Sequence, residues 1–303
     1  MSGSSTYADW IAVDWGTSNL RAWAMRGSDA IAEATSDKGM GSLEKSEFES
    51  ALITLIDPWL GTARTPVFAC GMVGARQGWV EAPYTAVPSK PLANRFARPE
   101  TTDSRIDVHV IPGLKQLENP DVMRGEETQI AGFLAANPNF DGVLCLPGTH
   151  TKWAHISAGE VISFRTFMTG ELFGLIAKKS VLRHSIANGW NDAAFITAVT
   201  DTLSRPETMA AKLFAIRADQ LLNATDVGAA KARLSGLLIG AELAGAKPYW
   251  LGQKIVLIGD ANLSALYATA LETQAALSQI ADATQSTLAG LNAARILTKE
   301  PTS

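Results

Sequence analysis

The chain has 303 residues, 47% hydrophobic and 18% charged, with 26 Lys and Arg against 30 Asp and Glu for a formal net charge of −4. At roughly 150 residues per domain this length predicts about two domains with cores of their own, and the composition excludes collagen, coiled coil and disorder. The acidic balance, without any run of Lys or Arg, argues against nucleic-acid and anionic-membrane partners.

Three strands are predicted first, at Trp10 to Asp14, Arg21 to Arg26 and Ala30 to Thr35, with turn residues Gly16, Asn19, Gly27 and Asp29 between them. Phe48, Leu52, Leu55, Ile56 and Trp59 then recur at helical spacing within Lys45 to Leu60, and Pro58 falls in the last turn. Pro66 to Cys70 predicts a buried strand that runs into a loop punctuated by Gly71, Gly74 and Gly78. Pro83 to Asp103 is expected to be mostly loop, Asp107 to Ile111 a strand, and Gly125 to Ala136 a helix. The cluster Asn137, Pro138, Asn139, Asp141 and Gly142 marks a domain boundary, giving domains 8–140 and 141–303.

The second half opens as the first does. Val143 to Leu146 is a buried strand ending at Pro147-Gly148-Thr149, and Trp153 to Ile156 and Val161 to Phe167 predict a hairpin about Ala158-Gly159. Glu171 to Lys247 is helix-rich, with breaks near Asn188-Gly189 and Ser204 to Pro206. Ile255 to Ile258 is a last strand, followed by helices at Asn262 to Leu271 and Ser286 to Leu297. Its most hydrophobic stretch, Leu234 to Ala246, is interrupted by Glu242 and falls short of the ~18 residues of a membrane span. The N-terminal MSGSSTYADW lacks the features of a secretory signal, so a cytoplasmic protein is expected. Cys70 and Cys145 are predicted as buried hydrophobes, and His109, His150, His155 and His184 show no zinc-hydrolase pairing.

Chemistry concentrates at a few strings. In IAVDWGTSNLRAW a strand delivers Asp14 into a turn through Gly16, Thr17 and Ser18, and a second strand carries Arg21 away. Such a turn offers backbone N–H groups and hydroxyls to a phosphate, and Asp14 could hold a hydrated Mg²⁺ beside it; a plain hairpin turn is the alternative. LPGTHTKW repeats the pattern with Gly148, Thr149, His150 and Lys152. In IVLIGDANLSALYATAL a strand is followed by Gly259, Asp260 and Asn262 at a helix start. Gly236, Gly240 and Gly245 could let a base lie close to their helix, or could simply permit close packing. Neither the P-loop string nor the Rossmann glycine fingerprint occurs in the chain.

This doubled pattern resembles the actin, sugar kinase and heat-shock ATPase superfamily. That likeness implies an α/β fold of two related actin-like (ribonuclease H-like) domains with an ATP and substrate cleft between them. GMVGARQGWVEAPY, MRGEETQIAGFL, LPGTHTKW and TFMTGELF together resemble the 2-dehydro-3-deoxygalactonokinase family, from about Trp10 to Leu297. The resemblance implies ATP- and Mg²⁺-dependent phosphorylation of 2-keto-3-deoxy-D-galactonate at its terminal hydroxyl. It places nucleotide and phosphate contacts on Gly16, Thr17, Ser18 and Arg21, on Gly148, Thr149, His150 and Lys152, and on Gly240, Gly259, Asp260 and Asn262.

RGEETQ puts paired acids at a helix start, which suits a general base, although the helix dipole favours acids there in any protein. By analogy with the exopolyphosphatase branch, Glu126 is the first choice and Glu127 the second. Pro147 stands where an Asp often precedes the second Gly-Thr turn, so metal holding falls mainly to Asp14. For the sugar acid, Arg76, Gln77, Gly78 and Trp79 lie on one loop, with Arg124, Arg165, Thr166, Thr169 and Glu171 as further contacts. Alternatives are a surface charge or an interdomain salt bridge for the arginines, core packing for Trp79 and helix capping for Thr169. Competing activities are a phosphohydrolase of the exopolyphosphatase type, a kinase for the epimeric 2-keto-3-deoxy-gluconate, and a nucleotide-binding switch protein. For the kinase itself the expected partner is the small sugar acid, with a homodimer as an open option.

Overall fold

Strand β1 (Trp10–Trp15) is buried on both faces, which explains a sequence with almost no polar alternation. The computed structural model describes residues 7–186, 188–223 and 227–298. β1 continues into β2 (Leu20–Arg26) and β3 (Asp29–Ser36) as an antiparallel meander. Helix α1 (Phe48–Ile56), shorter than the periodicity predicts, is flanked by single 3₁₀ turns at Lys45–Glu47 and Asp57–Trp59. It is followed by β4 (Thr65–Gly71), β5 (Tyr84–Ala86), β6 (Ile106–Val110), β7 (Gly113–Gln116), β8 (Asp121–Met123) and α2 (Glu126–Ala136). The order of the main sheet is β3-β2-β1-β4-β6, with β1, β4 and β6 parallel, and β5-β7-β8 form a small separate sheet.

A second sheet repeats that order. β9 (Gly142–Leu146), β10 (Thr151–Ser157) and β11 (Glu160–Phe167) lead into α3 (Thr169–Lys179), α4 (Asp192–Ser204), α5 (Met209–Asn223), α6 (Val227–Gly245) and α7 (Lys247–Trp250). After these come β12 (Ile255–Gly259), α8 (Ala261–Glu272), β13 (Ser278–Asp282) and α9 (Ala283–Leu297). The strands run β11-β10-β9-β12-β13, with β9, β12 and β13 parallel. Each sheet is thus a meander plus two parallel strands, the duplicated arrangement of the actin-like fold.

The chain forms two compact units. One runs to Phe140 and includes Ala158–Ile162 and the chain from Ala283 on; the other comprises Asp141–Ser157 and Ser163–Asp282. A division at 141 alone would put α9 in the second half, but its side chains complete the first core. Ile11, Val13 and Trp15 pack with Phe48, Leu52 and Ile56 of α1, whereas Trp10 and Ala12 pack with Leu291 and Ala294 of α9. The core of the second unit joins Cys145 and Trp153 to Phe195, Val199, Ile239, Leu243, Leu257 and Tyr267. Among the described residues, no helix is long and apolar enough to cross a membrane.

Candidate active site

In the first unit, strand register brings a carboxylate, a guanidinium and a thiol together. Asp14 is paired with Arg21 across β1 and β2 and with Cys70 across β1 and β4. The Arg21 guanidinium donates to Asp14 Oδ2 at 2.5 Å, and Cys70 Sγ lies 4.0 Å from Oδ1. The following turn is fixed from one side: the Gly16 and Thr17 carbonyls accept from Met40 and Gly41 N–H, each at 2.9 Å. A Cβ on Gly39 would stand 2.3 Å from the Ser18 carbonyl carbon, so only glycine permits this approach. Thr17 and Ser18 remain exposed.

Gly125, at φ 107°, opens α2 and lies against Gly71 at the end of β4; its absent Cβ would be 3.3 Å from the Gly71 Cα. The next two residues have different environments. Glu126 is half-buried, and its carboxylate accepts the Arg124 N–H at 3.0 Å. Glu127 is fully buried, accepting from the Gly125 N–H at 2.7 Å and the Thr128 hydroxyl at 2.9 Å. Burial, and secondly the charge of Glu126, push the Glu127 carboxyl up to about 8. Burial together with Asp14 and Glu127 also raises the Cys70 thiol.

Arg124 ties this segment to the loop after β4. Its Nη2 donates to the Ala82 carbonyl at 2.8 Å and its guanidinium lies 4.3 Å from the centre of the Tyr84 ring. Arg76 and Gln77 are exposed on that loop. Gly78 is buried where a Cβ would meet the Val73 carbonyl oxygen at 2.3 Å. Trp79 contacts Trp15 and Phe48, with ring centres 6.2 and 6.3 Å away, so its ring is part of the core edge.

The second unit contains a cavity of about 620 Å³, lined by Gly148 and Thr149 of the second turn, by Thr169 and Phe173, and by Asn262 and Tyr267. Trp190, Lys231, Leu238, Ile239 and Leu266 complete a largely apolar wall. Asp260 caps α8, accepting from the Asn262 and Leu263 N–H groups at 3.0 Å each. A Cβ on Gly259 would stand 3.1 Å from the Pro147 carbonyl oxygen. The start of α3 lies tight against the second turn, since a Cβ on Gly170 would be 2.3 Å from the Gly148 carbonyl oxygen. His150 Nε2 meets Glu171 at 2.5 Å, and the buried Lys152 donates to the His150 carbonyl at 3.1 Å. An apolar chamber with polar turns at one end matches a ligand that is part aromatic and part anionic.

A family model described as 2-keto-3-deoxy-galactonokinase matches residues 14–294. The chain belongs to this family. It is 40% identical over 300 residues to "Probable 2-dehydro-3-deoxygalactonokinase DgoK1" of Rhizobium meliloti (strain 1021), covering 96% of this chain and 97% of the relative. The 2-dehydro-3-deoxygalactonokinase of Escherichia coli (strain K12) is 34% identical over 268 residues, 88% of this chain and 90% of its own. A solved structure described as "a putative 2-dehydro-3-deoxygalactonokinase protein from Sinorhizobium meliloti" superposes with TM-score 0.89 at 39% identity, covering 96% of this chain and 99% of that one. Component A of the Acidaminococcus fermentans (R)-2-hydroxyglutaryl-CoA dehydratase, at 12% identity and TM-score 0.53, covers 96% of this chain and 99% of that one and shares the fold alone.

Within this galactonokinase family member, the expected nucleotide residues divide in two. Gly148, Thr149 and Asn262 line the cavity, with Gly259 and Asp260 forming the turn that precedes Asn262. Gly240 does not: a Cβ there would stand 2.6 Å from the Val199 carbonyl oxygen, so this glycine, like Gly236 beside Phe195, lets α6 pack on α4. Lys231, Ser235, Leu238 and Ile239 are the α6 residues that line the chamber. Arg165 is exposed and Thr166 half-buried on β11, outside the cavity lining. Thr169 lines the cavity but turns its hydroxyl inward to Glu242, and the α3 cap position is Met168.

Tyr267 and Trp190, which line the cavity, and the buried Glu242 behind it carry no sequence motif. The one available signal was an acid inside the apolar run Leu234 to Ala246.

Proposed function

We propose that this chain is an ATP-dependent kinase that phosphorylates 2-dehydro-3-deoxy-D-galactonate on its terminal hydroxyl, giving the 6-phosphate and ADP. The observation that carries the reading is the near full-length match to two relatives that bear this name at 40% and 34% identity. The cavity beside Gly148 and Thr149 supports it, because its apolar wall suits a nucleoside and its turn suits phosphates.

Glu126 is the general base. Glu127, with its carboxyl raised to about 8, carries a proton at neutral pH and is sealed from a substrate, whereas Glu126 is half-buried beside it. The sugar-acid hydroxyl gives its proton to Glu126 as its oxygen bonds to the γ-phosphorus, and the bond to the β–γ bridging oxygen breaks to release ADP. Arg21, at the first turn, and the exposed Arg76 supply positive charge for phosphate and for the substrate carboxylate.

Among the described residues no group of three or more His, Cys, Asp or Glu could hold a metal ion. A hydrated Mg²⁺ takes one or two carboxylates and completes its shell with phosphates and water. Asp14, partly exposed at the first turn and paired with Arg21 through Oδ2, is the carboxylate that would hold it. Bound there, the ion would neutralise charge on the phosphates.

The test is ADP release with Mg²⁺ and ATP, comparing no acceptor, the galactonate substrate, its gluconate epimer and a neutral hexose. Strong stimulation by the galactonate compound supports the kinase, while rapid phosphate release without acceptor supports a phosphohydrolase. Glu126→Gln is expected to lower kcat by roughly 10² or more with KM for ATP nearly unchanged. An unaltered kcat removes Glu126 as the base.

A further inference from the structure

Glu242 lies in α6 with 2% of its surface exposed, and three other elements direct donors at its carboxyl group. Trp153 Nε1 of β10 donates to Oε1 at 2.8 Å, the Tyr267 hydroxyl of α8 donates to Oε2 at 2.7 Å, and the Thr169 hydroxyl of α3 also donates to Oε2. The network continues outward. Tyr267 is 3.0 Å from the Thr151 hydroxyl, whose oxygen accepts the Gly148 N–H at 3.5 Å. Gly148, Thr169 and Tyr267 all line the 620 Å³ cavity.

A buried carboxyl is a poor way to stabilise a fold, because a well-packed apolar residue of the same volume usually does as well or better. What it provides is fixed direction: two oxygens that accept from several donors hold the groups bearing those donors in one arrangement. Here the groups so held belong to the walls of one chamber.

We infer that Glu242 is a positioning residue for nucleotide binding, fixing Thr169, Tyr267 and the Gly148-Thr149 turn in the arrangement that receives the nucleotide. The inference rests on the assignment of this cavity to ATP made above. Glu242 does not line the chamber; it acts through the Thr169 and Tyr267 side chains and the Gly148-Thr149 turn, which do. Glutamine can stand in for it, since an amide oxygen accepts from Trp153 while the amide nitrogen donates to the two hydroxyls, which reverse their own hydrogen bonds. Leucine cannot, because it leaves the Trp153 N–H and both hydroxyls without this partner.

The experiment titrates MgADP by calorimetry into the parent protein, Glu242→Gln, Glu242→Leu and Thr169→Val, alongside KM for ATP and for the sugar acid. Glu242→Leu and Thr169→Val are expected to weaken MgADP binding roughly tenfold, the scale of a lost buried hydrogen bond, and to raise KM for ATP in step. The sugar-acid KM should change less than about twofold, and Glu242→Gln should restore binding to within about threefold of the parent. Thr169→Val removes one donor at nearly constant volume, so it reports even where Glu242→Leu fails to fold. Parental affinity for MgADP in Thr169→Val and in folded Glu242→Leu overturns the inference, as does a fall in kcat with both KM values unchanged. A parent protein that binds no MgADP overturns the nucleotide assignment itself, and the inference with it.

Discussion

A carboxyl group with no access to water makes stability depend on pH, and Glu127 is such a group. In the unfolded chain it titrates near 4.5, while in the folded protein burial holds it at about 8. Between those values the folded state binds the extra proton, so the contribution is fully present below about 4.5 and is lost as pH rises through 8. Glu242, raised to about 7 by burial, acts in the same direction over a narrower window. Glu127→Gln keeps an acceptor for the Gly125 N–H and removes the titration. Its melting temperature, relative to the parent, should therefore climb as pH rises from 5 to 8, and thermal melts at several pH values read this directly. Parallel curves for the two proteins would show that Glu127 does not carry the proton assigned to it.

The elements that present these side chains meet at helix crossings too close for any side chain. A Cβ on Gly290 of α9 would stand 1.9 Å from the Thr128 carbonyl oxygen of α2, and one on Gly132 would stand 1.8 Å from that of Ser286. Gly290→Ala should cost on the order of 2–3 kcal/mol or more in denaturant unfolding, since neither backbone can yield without moving its helix. It should also lower turnover, because Thr128 follows the two glutamates directly. Gly174→Ala in α3, with nothing within 4 Å of its Cβ, is the control and should be neutral or slightly stabilising. An equal, small effect at both positions would remove the crossing as a constraint.

Not all of these elements were legible in the sequence, and the reasons are physical. β1, β2, β4, β9 and β12 have dense apolar runs or clear alternation, and their turns carry Gly, Asn or Asp. β13, Ser278–Asp282, is an edge strand with one large apolar residue, and β5, β7 and β8 are three or four residues each, too short to show a period. Gly240 reads in sequence either as a nucleotide contact or as a packing contact, because sequence shows that a residue is small but not which surface it faces; in the structure it faces Val199 of α4. Glu242 looked like an interruption because its partners Trp153, Thr169 and Tyr267 lie on three other elements, far apart in the chain.

Across the whole molecule, two sheets of one strand order each end a central strand at a Gly-Thr turn, and the chain that leaves the first unit at Phe140 returns to it for Ala158–Ile162 and again, with the last helix, from Ala283. Chain order and folding unit therefore differ: the core of the first unit is finished only when the last helix has been made. Leu291 and Ala294 are fully buried against Trp10, Phe68 and Cys70, and removing them uncovers one face of β1 and β4. Burial of a single leucine contributes about 1.5–3 kcal/mol, and α9 brings several apolar contacts besides, so the loss is comparable with the whole stability of an ordinary domain. A chain ending at Asp282 should lose amide protection along β1, β2 and β4 while β9 and β12 keep theirs, as measured by hydrogen exchange. Phosphorylation of the sugar acid should vanish with it, because Asp14 and Glu126 both stand in the unit that opens. Uniform protection across both sheets in that truncated chain would show that α9 covers the first unit without completing it.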